Sequence, residues 1–118
     1  MLPHGLPRSR RLHLKRDFER IIQSGLKYHT SGLVLWGEVS HQAGPARFAV
    51  VVSKKLGPAV VRNRTKRILR EAFRTLPVRL KPGANLIVKP QDSEKLSNVQ
   101  AARMALMSLC EKAALLIN

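Results

Sequence analysis

Cysteine occurs once in the 118 residues, at Cys110. No intramolecular disulfide and no multi-cysteine zinc site can form, and a lone thiol on a periodic apolar stretch reads as core. Acidic residues are few: Asp17, Glu19, Glu38, Glu71, Asp92, Glu94 and Glu111. No pair of them has a spacing that suggests two-metal hydrolysis or acid–base catalysis. The histidines (His4, His13, His29, His41) are scattered and read as loop or arm residues. Neither a Walker loop nor a dinucleotide glycine fingerprint is present. No apolar run approaches the ~18 residues of a membrane span. Residues 1–16 lack an apolar block of signal-peptide length, so the expected location is the cytoplasm. Aromatic residues number only five, Phe18, Tyr28, Trp36, Phe48 and Phe73.

Cations are abundant. Twenty-two Lys and Arg against seven Asp and Glu give a formal net charge of +15. Self-repulsion on that scale disfavours a compact state, which makes an anionic partner, nucleic acid first, the leading expectation. Composition is otherwise that of a globular chain, 44% hydrophobic and 25% charged with 7 Gly and 7 Pro. The length suits one domain, 1–118, able to bury a core without staples. Residues 1–13, with two prolines, a glycine, Arg8, Arg10 and Arg11, read as a flexible basic arm.

Periodicity then orders the chain. Leu14, Phe18, Ile21 and Ile22 form one stripe of a helix over about Lys15–Ser24, with Gly25 as its left-handed cap. Leu33–Trp36 and Phe48–Val52 read as an antiparallel strand pair, and Leu26–His29 as a short edge strand. Pro58 suits the first position of a long helix running to about Leu76 and stopped by Pro77. Asn85–Lys89 is a strand ended by Pro90. Ser97-Asn98-Val99-Gln100 fits a capping box opening a last helix of about 20 residues. Its inward side would carry Val99, Ala102, Leu106, Cys110 or Leu109, Ala113 and Ile117. The expected fold is α+β: a small mixed four-stranded sheet with three helices, in the order αβββαβα, its helices on one face.

The charge is concentrated in one segment. Ser53–Arg74 holds eight cations and one carboxylate, Glu71. At roughly 100° per residue, Val61, Thr65, Ile68, Leu69, Ala72, Phe73 and Leu76 share an inward arc. Asn63, Lys66, Arg67, Arg70 and Arg74 gather on another, with Arg62 and Arg64 at its sides. A surface helix ordinarily mixes in acids for i,i+4 pairs; here like charges repel unless phosphates neutralise them. Arginine forks bind phosphate bidentately, and Lys54 and Lys55 stand just before the helix N-terminus, where backbone N–H groups add positive potential. Phe73 and Phe48 read as core. Phe18 fits either the core or an exposed place, and Trp36 falls in a strand on the less covered face, where an aromatic beside cations can stack single-stranded bases.

These residues carry a resemblance. Ser53-Lys54-Lys55-Leu56-Gly57, then Arg62-Asn63-Arg64-Thr65-Lys66-Arg67 and Arg70-Glu71-Ala72-Phe73, closely resemble the signature of the bacterial ribonuclease P protein subunit. Arg11-Leu12, Asp17-Phe18, Gly25 and Asn85–Val88 also fall where that family has them, so the likeness spans roughly 8–115. It implies the fold of the second domain of the fifth protein of the small ribosomal subunit, with a left-handed crossover containing the basic helix. It further implies a one-RNA, one-protein ribonucleoprotein that removes the 5′ leader from precursor tRNA. The RNA and its Mg2+ ions carry out the hydrolysis; the protein has no catalytic residue and no metal site of its own. Carried over by position, Arg62, Asn63, Arg64, Lys66, Arg67, Arg70 and Arg74 face the catalytic RNA. Phe18, Trp36, Lys54, Lys55 and Lys89 face the leader. Where the family often has a second aromatic after Phe18, this chain has Ile22.

Two other readings fit the charge. A structural RNA-binding protein of the ribosome would share its size and element order. A DNA binder would place the basic helix in a major groove, but the chain lacks an adjacent helix joined by a tight turn.

Overall fold

Side chains between Leu33 and Val39 alternate in strand fashion, Leu33 and Leu35 on one side and Val34, Trp36 and Glu38 on the other. Both sides prove to be covered, by different helices. The computed structural model describes residues 11, 15–24, 26–41 and 44–117. Its elements are α1 (Lys15–Ser24), β1 (Leu26–Thr30), β2 (Leu33–Val39), β3 (Arg47–Val50), α2 (Ala59–Arg74), β4 (Ala84–Pro90) and α3 (Val99–Lys112), with a 3-10 turn at Lys54–Leu56. This is the expected α+β class, three helices on a mixed four-stranded sheet.

The sheet order is β1-β2-β4-β3. β1 and β2 form an antiparallel hairpin, β2 runs antiparallel to β4, and β3 runs parallel to β4. The expected antiparallel pairing of the second and third strands is therefore wrong. β4 takes the place between them because Leu86-Ile87-Val88 is apolar on both faces and fully buried, which suits the middle of a sheet. β3 stops at Val50, with one further ladder bond from the Val51 N–H to the Val88 carbonyl. The β1–β2 turn places Ser31 and Gly32 at φ 45 and 74, the geometry of a two-residue hairpin. A Cβ at Gly32 would stand 2.7 Å from the Cβ of Asp92.

α2 and α3 lie on one face. Leu69, Ala72 and Phe73 of α2 and Ala102, Ala105, Leu106, Leu109 and Cys110 of α3 pack with Leu33, Leu35, Phe48, Leu86 and Val88. α1 lies on the other, where Ile21 meets Ile87 with Phe18, Trp36, Ala49 and Val51 around them. Helices thus cover both faces rather than one. The α1 stripe reaches its limit at Ile22, which is 43% exposed.

The two long helices are shorter than periodicity suggests, for local reasons. Pro58 is the N-cap of α2 rather than its first residue, accepting the Arg62 N–H through its carbonyl. α2 ends before Leu76: the Thr75 hydroxyl donates to the Glu71 carbonyl at 2.7 Å, and Pro77 disfavours helical geometry at the residue preceding it. α3 is capped by Asn98, whose side chain accepts the Ala101 N–H at 2.8 Å, not by Ser97. It stops at Lys112, where Ala114 turns left-handed (φ 56) and the Leu115 N–H returns to the Cys110 carbonyl. The chain then runs beside Arg79–Lys81, leaving Ile117 46% exposed outside the helix instead of inside it. His29 lies in β1, not in a loop. The remainder of the proposed arm, Leu14 and the Gly25 cap lie outside the described residues.

Candidate nucleic-acid interface

α2 is held by its apolar arc. Thr65, Leu69, Ala72 and Phe73 are buried, and the Thr65 hydroxyl donates to the Val61 carbonyl at 2.9 Å. That seat turns the cationic arc outward. Asn63, Arg64, Arg67 and Arg74 are exposed; Arg62, Lys66 and Arg70 are half-buried. They differ in availability. Arg74 is engaged by Glu71, toward which its Nε donates at 3.1 Å, and this pairing raises its affinity for the proton. Burial, and secondarily the nearby Arg11 guanidinium, pushes Arg70 below the ordinary arginine range. The Nε of Arg62 is buried without a hydrogen-bond partner. Lys54 and Lys55 are exposed in the 3-10 turn where the chain passes from the sheet into α2. Gly57, at φ 150, completes that passage against Val61.

The remaining expected residues gather on the opposite side of the sheet. Phe18 and Trp36 are both half-buried and pack about Ile21 and Ile87. Lys89, half-buried, falls on the same face as Ile87 by strand alternation. The structure thus separates the seven α2 residues from Phe18, Trp36 and Lys89, with the sheet between them and the lysine pair at its end.

Two features of the α1 face escape a reading of the sequence. First, Lys27 and His29 share it with Trp36, as the register Lys27↔Trp36 and His29↔Val34 requires; the Lys27 ammonium lies 5.5 Å from the Trp36 ring centroid. Alternation along 26–30 was the available signal. Second, a groove of about 600 Å3 beside α1 is lined by Arg16, Asp17, Arg20, Glu38, Val39, Ser40, His41 and Arg47. There Arg20 donates to both Asp17 (2.8 Å) and Glu38 (2.6 Å). The bond from Arg20, helped by one that Asn85 donates to Glu38, holds the Glu38 carboxyl below the usual carboxylate range, against the opposing effect of burial. Nothing local in the sequence joins residues 18 and 47 positions apart.

A small mixed sheet bearing a one-sided cationic helix defines a polyanion-binding α+β protein. A sequence profile of the family described as Ribonuclease P matches residues 6–114, and the chain belongs to that family. The ribonuclease P protein component of Dictyoglomus turgidum is 34% identical over 113 residues, covering 93% of each chain. That of Xylella fastidiosa is 35% identical over 107 residues, 90% of this chain and 77% of the relative. Among solved structures, the RNase P protein of Thermotoga maritima superposes with TM-score 0.73 at 30% identity, covering 86% of this chain and 96% of the other. The Staphylococcus aureus protein shares the fold, with TM-score 0.77 at 24% identity, covering 93% of this chain and all of the other. The chain is accordingly an RNA-binding component of a tRNA-processing ribonucleoprotein.

Proposed function

We propose that the chain binds two RNAs on two sides of one sheet and acts in the cytoplasm. Arg62, Asn63, Arg64, Lys66, Arg67 and Arg70 dock on the catalytic RNA of ribonuclease P, with Arg74 contributing less because Glu71 occupies it. Phe18, Trp36, Lys54, Lys55 and Lys89 hold the single-stranded 5′ leader of precursor tRNA, one protein serving one RNA. The observation that carries this reading is the placement of the cationic α2 arc and the Phe18–Trp36 face on opposite sides of the sheet.

The work of the protein on this reading is electrostatic. Two polyanions must approach each other, and a +15 chain between them lowers their repulsion. Charge and stacking accept every nucleotide, so discrimination along the leader is modest. Hydrolysis belongs to the RNA and its Mg2+. The carboxylates nearest the two faces are already engaged, Asp17 and Glu38 by the Arg20 guanidinium and Glu71 by Arg74.

The test is leader removal by the cognate RNA at low magnesium, with and without the protein. Stimulation is expected; its absence overturns the reading. Cosedimentation with ribosomal subunits rather than with a smaller processing particle would favour a structural ribosomal role.

A further inference from the structure

The face of the sheet beneath α1 changes chemistry along its strands. Trp36, Ile87 and Ala49 are cross-strand neighbours and form an apolar row. Two residues further along, Glu38, Asn85 and Arg47 form a polar row. α1 reaches both, placing Phe18 and Ile21 on the first and Asp17 and Arg20 on the second.

The polar groups close into a ring. Arg20 donates through Nε and Nη2 to the two oxygens of Glu38, at 3.3 and 2.6 Å. Asn85 Nδ2 donates to Glu38 Oε2 at 2.9 Å, and Arg47 Nε donates to Asn85 Oδ1 at 3.2 Å. Arg47 lies 4.0 Å from Asp17 Oδ2, and Asp17 Oδ1 accepts from Arg20 at 2.8 Å. One helix and three strands are therefore joined by a single circuit. It holds two of the chain's seven carboxylates against two arginines and is formally neutral, so it offers phosphate no net attraction. Its geometric function is more specific: Phe18 stands one residue from Asp17 and two from Arg20, so the ring sets where Phe18 meets the sheet.

We propose that the Asp17–Arg20–Glu38–Asn85–Arg47 ring is the positioning element of the leader-binding face, fixing α1 so that Phe18 stands beside Trp36. Arg20 and Glu38 act on the leader through Phe18 rather than by touching it. The inference rests on the assignment of that face to the leader.

The test uses the reconstituted holoenzyme and compares affinity for a precursor tRNA with affinity for the same tRNA without its leader. Arg20→Ala and Glu38→Arg are each expected to reduce the leader's contribution about tenfold, and the double variant to lose no more than either single one to within about twofold, because both break the same ring. Net charge alone predicts the opposite for Glu38→Arg, since an added cation tightens RNA binding. Trp36 emission reports whether α1 keeps its seat in each variant. A Glu38→Arg protein with an unchanged or larger leader contribution overturns the proposal, as does a double variant whose loss is the product of the two single losses. Phe18→Ala separates the two assumptions. If it removes the leader's contribution while Glu38→Arg preserves it, the ring alone fails; if Phe18→Ala has no effect, the leader assignment fails and the ring proposal with it.

Discussion

The rings of Phe48 in β3 and Phe73 in α2 lie 4.4 Å apart at their centroids and 9° from parallel. This stack joins the strand before the basic helix to the last turn of that helix. Both rings are buried, so the contact fixes the rotation of α2 on the sheet and thereby the direction of its cationic arc. Phe73→Ala is expected to cost about 3–5 kcal/mol, the usual range for emptying a buried aromatic site. Urea unfolding measures it, and a loss below about 1 kcal/mol would deny the stack that role.

Replacing Arg62 and Arg64 together by Ala should separate binding from folding. Neither belongs to the buried arc, and Arg62 buries an unpartnered Nε, so stability should change by no more than about 0.5 kcal/mol. Affinity for the catalytic RNA should fall by roughly tenfold or more. The slope of log K against log salt should flatten by about 0.7–0.9 for each phosphate that the variant leaves unneutralised. Filter binding across a salt series reads both, and an unchanged slope would remove these residues from the interface.

Trp36 is the chain's one tryptophan, so its fluorescence reports the α1 face directly. A leader-bearing precursor should alter its emission; the same tRNA without a leader should not. Lys27→Met removes the cation beside the ring and should shift the emission of the free protein. Equal responses to the two tRNAs would place the leader elsewhere.

Acid should weaken the seat of α1. Glu38 is held below the ordinary carboxylate range chiefly by hydrogen bonds from Arg20, so its contribution is complete above the unfolded pKa of about 4.3. That contribution is lost as pH falls through the depressed folded value. Glu38→Gln should be less stable than the parent at neutral pH and should show a flatter decline below about pH 4.3. Parallel acid-unfolding curves for the two proteins would contradict this.

Alkali should act through Cys110. Burial pushes its thiol up to about 12, while the unfolded thiol titrates near 8.5. The folded form therefore retains a proton that the unfolded form releases, and stability falls as pH rises through that interval. The native thiol should resist alkylation and react fully in denaturant; equal rates in both would show an accessible sulfur.

Legibility followed the range of the forces. α1 was visible end to end because Phe18 and Ile21 repeat at helical spacing, and the arc of α2 because Leu69, Ala72 and Phe73 do likewise. Helix ends were less legible, since Thr75 and Ala114 act through single hydrogen bonds and one backbone angle. The β2–β3 pairing was misread because adjacency in the chain favours neighbouring strands, whereas β4 arrives from across α2. The ring around Arg20 was invisible for a related reason: its partners are ordinary charged and amide residues until the sheet aligns them.

β4 is also the last strand to be synthesised, yet it occupies an interior position in the sheet. Until residue 90 has left the ribosome, β2 and β3 each expose an edge that invites pairing with another nascent chain. The basic helix emerges within that interval, and like charges on helices of separate copies repel one another.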